Sequence, residues 1–262
     1  MKPRESPAGD FDYEALGSSY ASVRRSDARL ESLVRDALGE CRTVLNVGAG
    51  AGSYEPVDRY VVAVEPSRSM RAQRPQGAAP AVDATAERLP FDEESFDAAM
   101  AVMTVHQWQD VTQGLKELQR VARDAVVVMT LDAPALRDFW LTDYIPEVVD
   151  VEVTRFPPIE LIARVLGGKG WAVDVAPVPV PRDCTDGFGE AFYARPEAFL
   201  DPTIRRATSG LVLSPPAAVE RGIERLREDL ASGVWDKEYG LLRALPQRRG
   251  AIRLITATRI QR

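Results

Sequence analysis

Three glycines at alternate positions, Gly48, Gly50 and Gly52, follow a short apolar run in the stretch VLNVGAGAGSYEP (44–56). Glycine weakens the interior of strands and helices, so such a cluster belongs where the chain turns sharply or where a ligand approaches the backbone. A second residue able to do chemistry is His106, the one histidine of the chain, in TVHQWQD (104–110). An imidazole can take a proton from a substrate near neutral pH. It can equally pack against a ligand or cap the next helix. The two cysteines, Cys41 and Cys184, stand far apart and read as free thiols of a reducing, cytoplasmic protein. With one histidine and two cysteines no zinc cluster is expected.

The elements that must position these residues alternate in type. Strands are read over 43–48, 60–65, 78–84, 96–105, 125–131, 171–180 and 251–260. FDAAMAVMTV (96–105) is apolar almost throughout, as a strand buried on both faces is. Prolines near the end of WAVDVAPVPV (171–180) put that strand close to a sheet edge. Helical spacing runs over 11–38, with breaks at Gly17 and at Ser26-Asp27, where either residue of the pair can cap the second helix. Further helices are read over 67–74, 111–122 and 157–170. A short helix is expected between the first two strands, interrupted by Pro56. This alternation implies an α/β layer fold with a parallel sheet.

Residues 182–249 break the rhythm with Pro196, Pro202, Pro215 and Pro216, and contain a helical stretch over 217–233. Their charge is balanced, 11 basic against 11 acidic residues, and they read as a helical insertion between the last two strands. Within them, DGFGEAFYARPEAFLDP (186–202) gathers Phe188, Phe192, Tyr193 and Phe199 with Glu190 and Arg195. These either wall an apolar substrate pocket or form the insertion's own core.

Composition narrows the function. A chain of 262 residues with 45% hydrophobic residues and a net charge of −6 is one large domain, or one domain with an insertion. It lacks the basic excess of a general nucleic-acid binder. No apolar run is long enough to span a membrane, and the N-terminus has no signal-peptide core. No nucleic-acid or membrane partner is expected. The glycine spacing is G-x-G-x-G, with Ser53 where a dinucleotide motif has its third glycine or alanine. No Gly-Lys-Ser/Thr follows, which excludes a P-loop. Ligands of open α/β sheets lie beyond the strand C-termini, so the glycine turn and His106 are expected at one crevice.

At this point residues 11–131 resemble the class I S-adenosylmethionine-dependent methyltransferases, in particular the type 11-like small-molecule enzymes. NVGAGAG (46–52) is similar to the family's glycine motif, and Glu65, 13 residues past Gly52, to its ribose-binding acid. Met70 matches an apolar residue set against the adenine, and Asp83-Ala84 the pair that reads it. VDATAERLPFDEESFDAAMA (82–101) is similar to the region of the third and fourth strands.

The resemblance implies a Rossmann-like, mostly parallel seven-stranded sheet with helices on both faces and a helical insertion before the last strand. It divides the chain into an N-terminal helical lid (1–40), a cofactor-binding core (41–181), a substrate cap (182–249) and the last core strand (250–262). It implies S-adenosylmethionine as cofactor. Gly48, Ala49, Gly50 and Gly52 would approach its methionine part, with Glu65 and Pro66 at the ribose and Met70, Asp83 and Ala84 at the adenine. Met103 and Trp108 would lie beside it, Trp108 either as a wall or in ordinary packing. Tyr20 and Arg24 would cover it, Arg24 either pairing with its carboxylate or merely solvated. Asn46 stands where the family usually carries an acid. His106, near the sulfonium, is the candidate base.

The implied activity is methyl transfer to oxygen, nitrogen or carbon of a small molecule, with specialised metabolism as one setting. Specificity is expected in the insertion. Two alternatives remain: a protein of this fold that binds the cofactor without methylating, and an NAD-dependent oxidoreductase, which the glycine spacing disfavours.

Overall fold

The computed structural model describes residues 23–168 and 170–260. Most of the expected lid, including Tyr13 and Tyr20, lies outside the described residues. Helix α1 (Ala28–Ala37) starts at Asp27, whose carboxylate accepts the Arg29 N–H at 3.0 Å. That bond satisfies one of the amides left orphaned at a helix start. Leu30, Val34 and Leu38 bury one face of the helix against the sheet.

The strands are β1 (Thr43–Val47), β2 (Tyr60–Val64), β3 (Ala81–Val82), β4 (Phe96–Val102), β5 (Ala122–Leu131), β6 (Trp171–Pro181) and β7 (Gln247–Arg259). They form one sheet in the order β3-β2-β1-β4-β5-β7-β6. β1 to β5 pair in parallel. β7 runs antiparallel to both β5 and β6. All seven expected strands are present. The proline-rich β6 is an edge strand, and its register with β7 shifts between Pro177 and Pro179. Proline lacks the N–H that a central strand needs, so an edge tolerates it best.

Period-two alternation sorts the buried residues of β1, β4 and β5 onto two faces. Val44, Met100, Val127 and Met129 face α1 and the cap. Leu45, Val47, Ala99, Ala101, Val126 and Val128 face two other helices, Val111–Val121 and Ile159–Leu166. The remaining helices before β6 are α2 (Arg68–Ala72), the already placed α3 (Val111–Val121), α4 (Leu141–Tyr144), α5 (Glu147–Arg155) and α6 (Ile159–Leu166).

The short helix expected between β1 and β2 does not form; that link is made of turns. Gly50, Gly52 and Tyr54 have φ of 52°, 96° and 63°. Residues in the left-handed region cannot propagate a right-handed helix, and Pro56 then withholds a donor.

The insertion folds as the cap helices α7 (Pro202–Arg206), α8 (Ser209–Leu213), α9 (Pro216–Ser232) and α10 (Val234–Tyr239). Residues 133–155, before α6, pack with it. The Trp140 indole donates to the Tyr193 carbonyl at 2.9 Å. It also meets Trp235 and Phe199 edge-on at 5.4 and 5.7 Å. The boundary drawn at 41–181 therefore includes a stretch whose side chains belong to the cap's core. Apolar sequence in that stretch does not say which layer it packs against.

Cys41 and Cys184 are free thiols, and burial pushes Cys184 up to about 12. Among the described residues no helix is long and apolar enough to cross a membrane, and no group of side chains could hold a metal ion.

Trp235 is fully buried at the centre of the aromatic cap core. Trp235→Ala is expected to destabilise the protein by about 3–5 kcal/mol in urea unfolding. A loss below about 1 kcal/mol would show that the cap contributes little to the cooperative unit.

Candidate functional site

The glycine turn is built before any ligand arrives. The N–H groups of Gly48 and Ala49 both donate to the Val64 carbonyl, at 2.9 and 3.0 Å. The Gly50 N–H donates to Glu65 Oε2 at 2.8 Å, and the Ser67 N–H to Glu65 Oε1 at 2.8 Å. One carboxylate thus ties the end of β1 to the end of β2. Burial pushes the Glu65 pKa up, with the Ser67 and Gly50 N–H groups opposing it. Gly48 has φ of 70°, and a Cβ there would lie 2.0 Å from Thr104 Oγ1. Its lack of a side chain is needed by the protein itself, to let the end of β4 close against the turn.

A cavity enclosing about 910 Å3 of atom-free space, mouth included, opens above this turn. Of the residues expected to bind a cofactor, Arg24, Asn46, Gly48, Ala49, Gly50 and Glu65 line it. So do Pro66, Met70, Ala84, Met103 and Trp108. Gly52 and Asp83 do not. The Asp83 carboxylate turns outward to Arg71 Nη2 at 2.8 Å and is largely solvated. Thr85, Ala86 and Glu87 line the wall beyond Ala84 instead. The cavity also takes Ser53, Tyr54, Thr104 and Gln107, which sequence reading missed. Tyr54 and Gln107 lie inside the stretches 44–56 and 104–110, beside residues given a role there. Their inward direction depends on left-handed and tight helical turns that no periodicity announces.

Three segments meet over the mouth. The Arg24 guanidinium bonds Asp186 Oδ1 from Nε at 2.6 Å, and the Tyr54 hydroxyl donates to Asp186 Oδ2 at 2.7 Å. Burial beside Asp186 pushes the Tyr54 hydroxyl far up, so it stays a donor. Arg24 is therefore ion-paired to the cap rather than simply solvated.

A second cavity lies beside the first, and Arg24 and Met103 line both. Met103 has φ of 51°, a conformation that costs a non-glycine residue about 1–3 kcal/mol. Its N–H is held by the Met129 carbonyl at 2.7 Å. The second cavity is walled by Leu136, Phe139, Phe156, Phe188, Leu211 and Ile252, with His106, Glu152 and Glu190 among them. His106 is buried in the short helical turn Val105–Gln107 and stacks on Phe156 with ring centroids 4.1 Å apart. It borders this second cavity and not the first. Trp108 faces the first cavity, and its ring lies where a Cβ on Gly114 would approach it to 2.5 Å. The aromatic cluster of 186–202 divides: Phe188 walls the cavity, while Phe192, Tyr193 and Phe199 pack in the cap.

The first cavity fits S-adenosylmethionine in donor and wall chemistry. Met70, Ala84 and Ala86 offer apolar walls for a purine, and Glu65 a buried acceptor for hydroxyls. Independent comparisons agree. A family model described as a methyltransferase domain matches residues 45–129. The chain is 31% identical over 180 residues to a malonyl-[acyl-carrier protein] O-methyltransferase of Pseudescherichia vulneris, covering 63% of this chain and 68% of that protein. A solved structure named "Putative methyltransferase from antibiotic biosynthesis pathway", from Anabaena variabilis ATCC 29413, is 28% identical with a TM-score of 0.82. It covers 89% of this chain and 98% of its own. The geranyl diphosphate C-methyltransferase of Streptomyces coelicolor A3(2) shares the fold at 13% identity and a TM-score of 0.53, over 89% of this chain and 79% of its own. The chain belongs to the class I S-adenosylmethionine-dependent methyltransferases. S-adenosylmethionine is its cofactor, and small-molecule methylation its general activity.

Two measurements check the cofactor cavity. Gly50 has φ of 52° and lies against Met70, so Gly50→Val is expected to raise the dissociation constant for S-adenosylhomocysteine at least about a hundredfold by calorimetry. Unchanged affinity would show that the turn is not the binding surface. Because the Glu65 pKa is raised above its ordinary 4.5, its carboxylate is lost earlier as pH falls. Affinity should therefore weaken on acidification before an ordinary carboxylate titrates, and Glu65→Gln should flatten that profile. A wild-type profile flat down to 4.5 would contradict a hydroxyl-binding role for Glu65.

Proposed function

We propose that the protein methylates an uncharged, largely apolar small molecule held in the second cavity, with His106 as the base. The observation that carries this reading is that Arg24 and Met103 border both cavities, so an acceptor and the cofactor's sulfur end could meet there. S-adenosylmethionine supplies an electrophilic methyl group on a sulfonium sulfur. The chain's own work is to hold the acceptor in line and to keep water out. The cap residues Phe139, Phe188 and Leu211 supply the apolar enclosure. His106, held flat against Phe156, takes the proton that the acceptor's oxygen, nitrogen or carbon gives up.

Charge balance supports the acceptor class. Each carboxylate on the cavity wall has an arginine partner. Glu152 accepts Arg155 Nη1 at 2.7 Å, and Glu190 accepts Arg248 Nη1 at 2.5 Å. Arg24 is paired with Asp186. An ion entering such a site would lose its hydration without gaining a free counter-charge. Phe188, Glu190 and the stretch 207–211 on the cavity wall support a share of this selection for the insertion. In this reading the strand ends and turns between β1 and β4 serve the cofactor, and residues 131–156 share the acceptor cavity with the insertion. The relatives' acceptors differ from each other in chemistry, which fits selection by the cap rather than by the core. A cytoplasmic setting and specialised metabolism are consistent with the free thiols and with the pathway named for the Anabaena protein.

His106→Ala is expected to lower kcat by about a hundredfold or more with the best acceptor of a panel. The dissociation constant for S-adenosylhomocysteine should stay within about twofold, because His106 borders only the acceptor cavity. Equal losses in both, or none, would reject the base. A panel in which carboxylate or ammonium acceptors outperform uncharged apolar ones would reject the acceptor class.

A further inference from the structure

Asn46 is an uncharged side chain at the head of the glycine turn, and its neighbours fix what it can present to a ligand. It is buried in β1 and borders the cofactor cavity. Its Nδ2 donates to Glu55 Oε1 at 3.0 Å. Glu55 in turn accepts Arg74 Nη2 on both oxygens, at 2.9 and 2.8 Å. The pair is nearly enclosed, with side chains 11% and 6% exposed for Glu55 and Arg74. Gly52 lies beside the pair, where a Cβ would be in ordinary contact with Arg74 Nη1 at 3.4 Å and Glu55 Oε2 at 3.6 Å. The third glycine of the motif does not line the cavity, and its φ of 96° is what favours glycine there.

An asparagine amide can present either its donor or its acceptor to a ligand. A carboxylate bonded to a guanidinium can only accept, so the amide nitrogen must face Glu55. The oxygen must then face the other way. Among the described residues no donor reaches Asn46 Oδ1, and it is not one of the buried atoms left without a partner. It therefore opens on the cavity that Asn46 lines. We propose that Glu55 is a positioning residue that locks the Asn46 amide with Oδ1 toward the cavity, so that an uncharged side chain accepts from the cofactor's ammonium as an acid would. This rests on the first cavity being the S-adenosylmethionine site. Arg74 neutralises Glu55, so recognition comes from the aimed amide dipole and not from a second free charge.

The test compares two ligands by calorimetry: S-adenosylhomocysteine and its deamino analogue, which lacks only the amino group. The wild type is expected to prefer the amino ligand by about tenfold, the worth of one hydrogen bond to a charged group. Glu55→Gln frees the amide to turn, and should erase most of that preference while leaving the deamino ligand's affinity unchanged. Asn46→Asp alone sets two carboxylates against each other and should also weaken binding of the amino ligand. The double variant Asn46→Asp/Glu55→Gln restores a donor facing an acceptor and should recover the preference. This recovery separates positioning from a folding defect in either single variant, which thermal melting would report. A Glu55→Gln variant that keeps the wild-type preference, or loses both ligands alike, would overturn the proposal. So would a double variant that fails to recover the preference. Binding of neither ligand by the wild type is a different result, and would overturn the cofactor assignment itself.

Discussion

The bond from the Gly50 N–H to the Glu65 carboxylate, 2.8 Å long, is the constraint on which the site depends. β1 and β2 run parallel, so their C-terminal ends emerge side by side with backbone groups that no further strand satisfies. The turn after β1 resolves this by folding back on β2. Its first two amides go to the Val64 carbonyl, and the next goes to the side chain that follows it. Such a path requires left-handed backbone at alternating positions, which is why Gly48, Gly50 and Gly52 alternate. The cost is a carboxylate buried against its preference for water. Once held there by two amides, it is an acceptor fixed at the floor of a cavity.

The second half of the site depends on the end of β4. Strained backbone at Met103 turns the chain from strand into the short helical turn that carries His106. Gln107 and Trp108 border the cofactor cavity, while His106 borders its neighbour. One turn of chain thereby serves both cavities. The cap reaches the same place from the other side, since Asp186 receives both Arg24 and Tyr54. The chain before α1, the glycine turn and the insertion are fastened at one carboxylate. Ordering of the cap and shape of the cofactor cavity are therefore linked through contacts that belong to neither ligand.

The core of this fold was legible because strand segments buried on both faces are apolar, as Ala98–Ala101 of β4 and Ala125–Met129 of β5 are. The glycine spacing and Glu65 were legible because backbone sterics and an acid at a strand end leave local traces. Other features depend on tertiary packing. The aromatic run at 186–202 could not be divided by sequence, because Phe188 and Phe192 differ only in which way a turn directs them. Asp83 is polar and follows β3, yet its partner Arg71 on α2 draws it outward. The packing of Trp140 into the cap was hidden for the same reason. Glu55 lay in plain sight beside Pro56, but its importance shows only when Arg74 and Asn46 are seen to meet it.

Geometry at the junction of the two cavities carries the central claim, and a crystal structure with S-adenosylhomocysteine bound tests it most directly. The sulfur should lie beside Met103, with the direction of the missing methyl opening toward His106 and the apolar cavity. A sulfur turned away from Met103, or a protein wall between it and the second cavity, would contradict the assignment of that cavity to the acceptor.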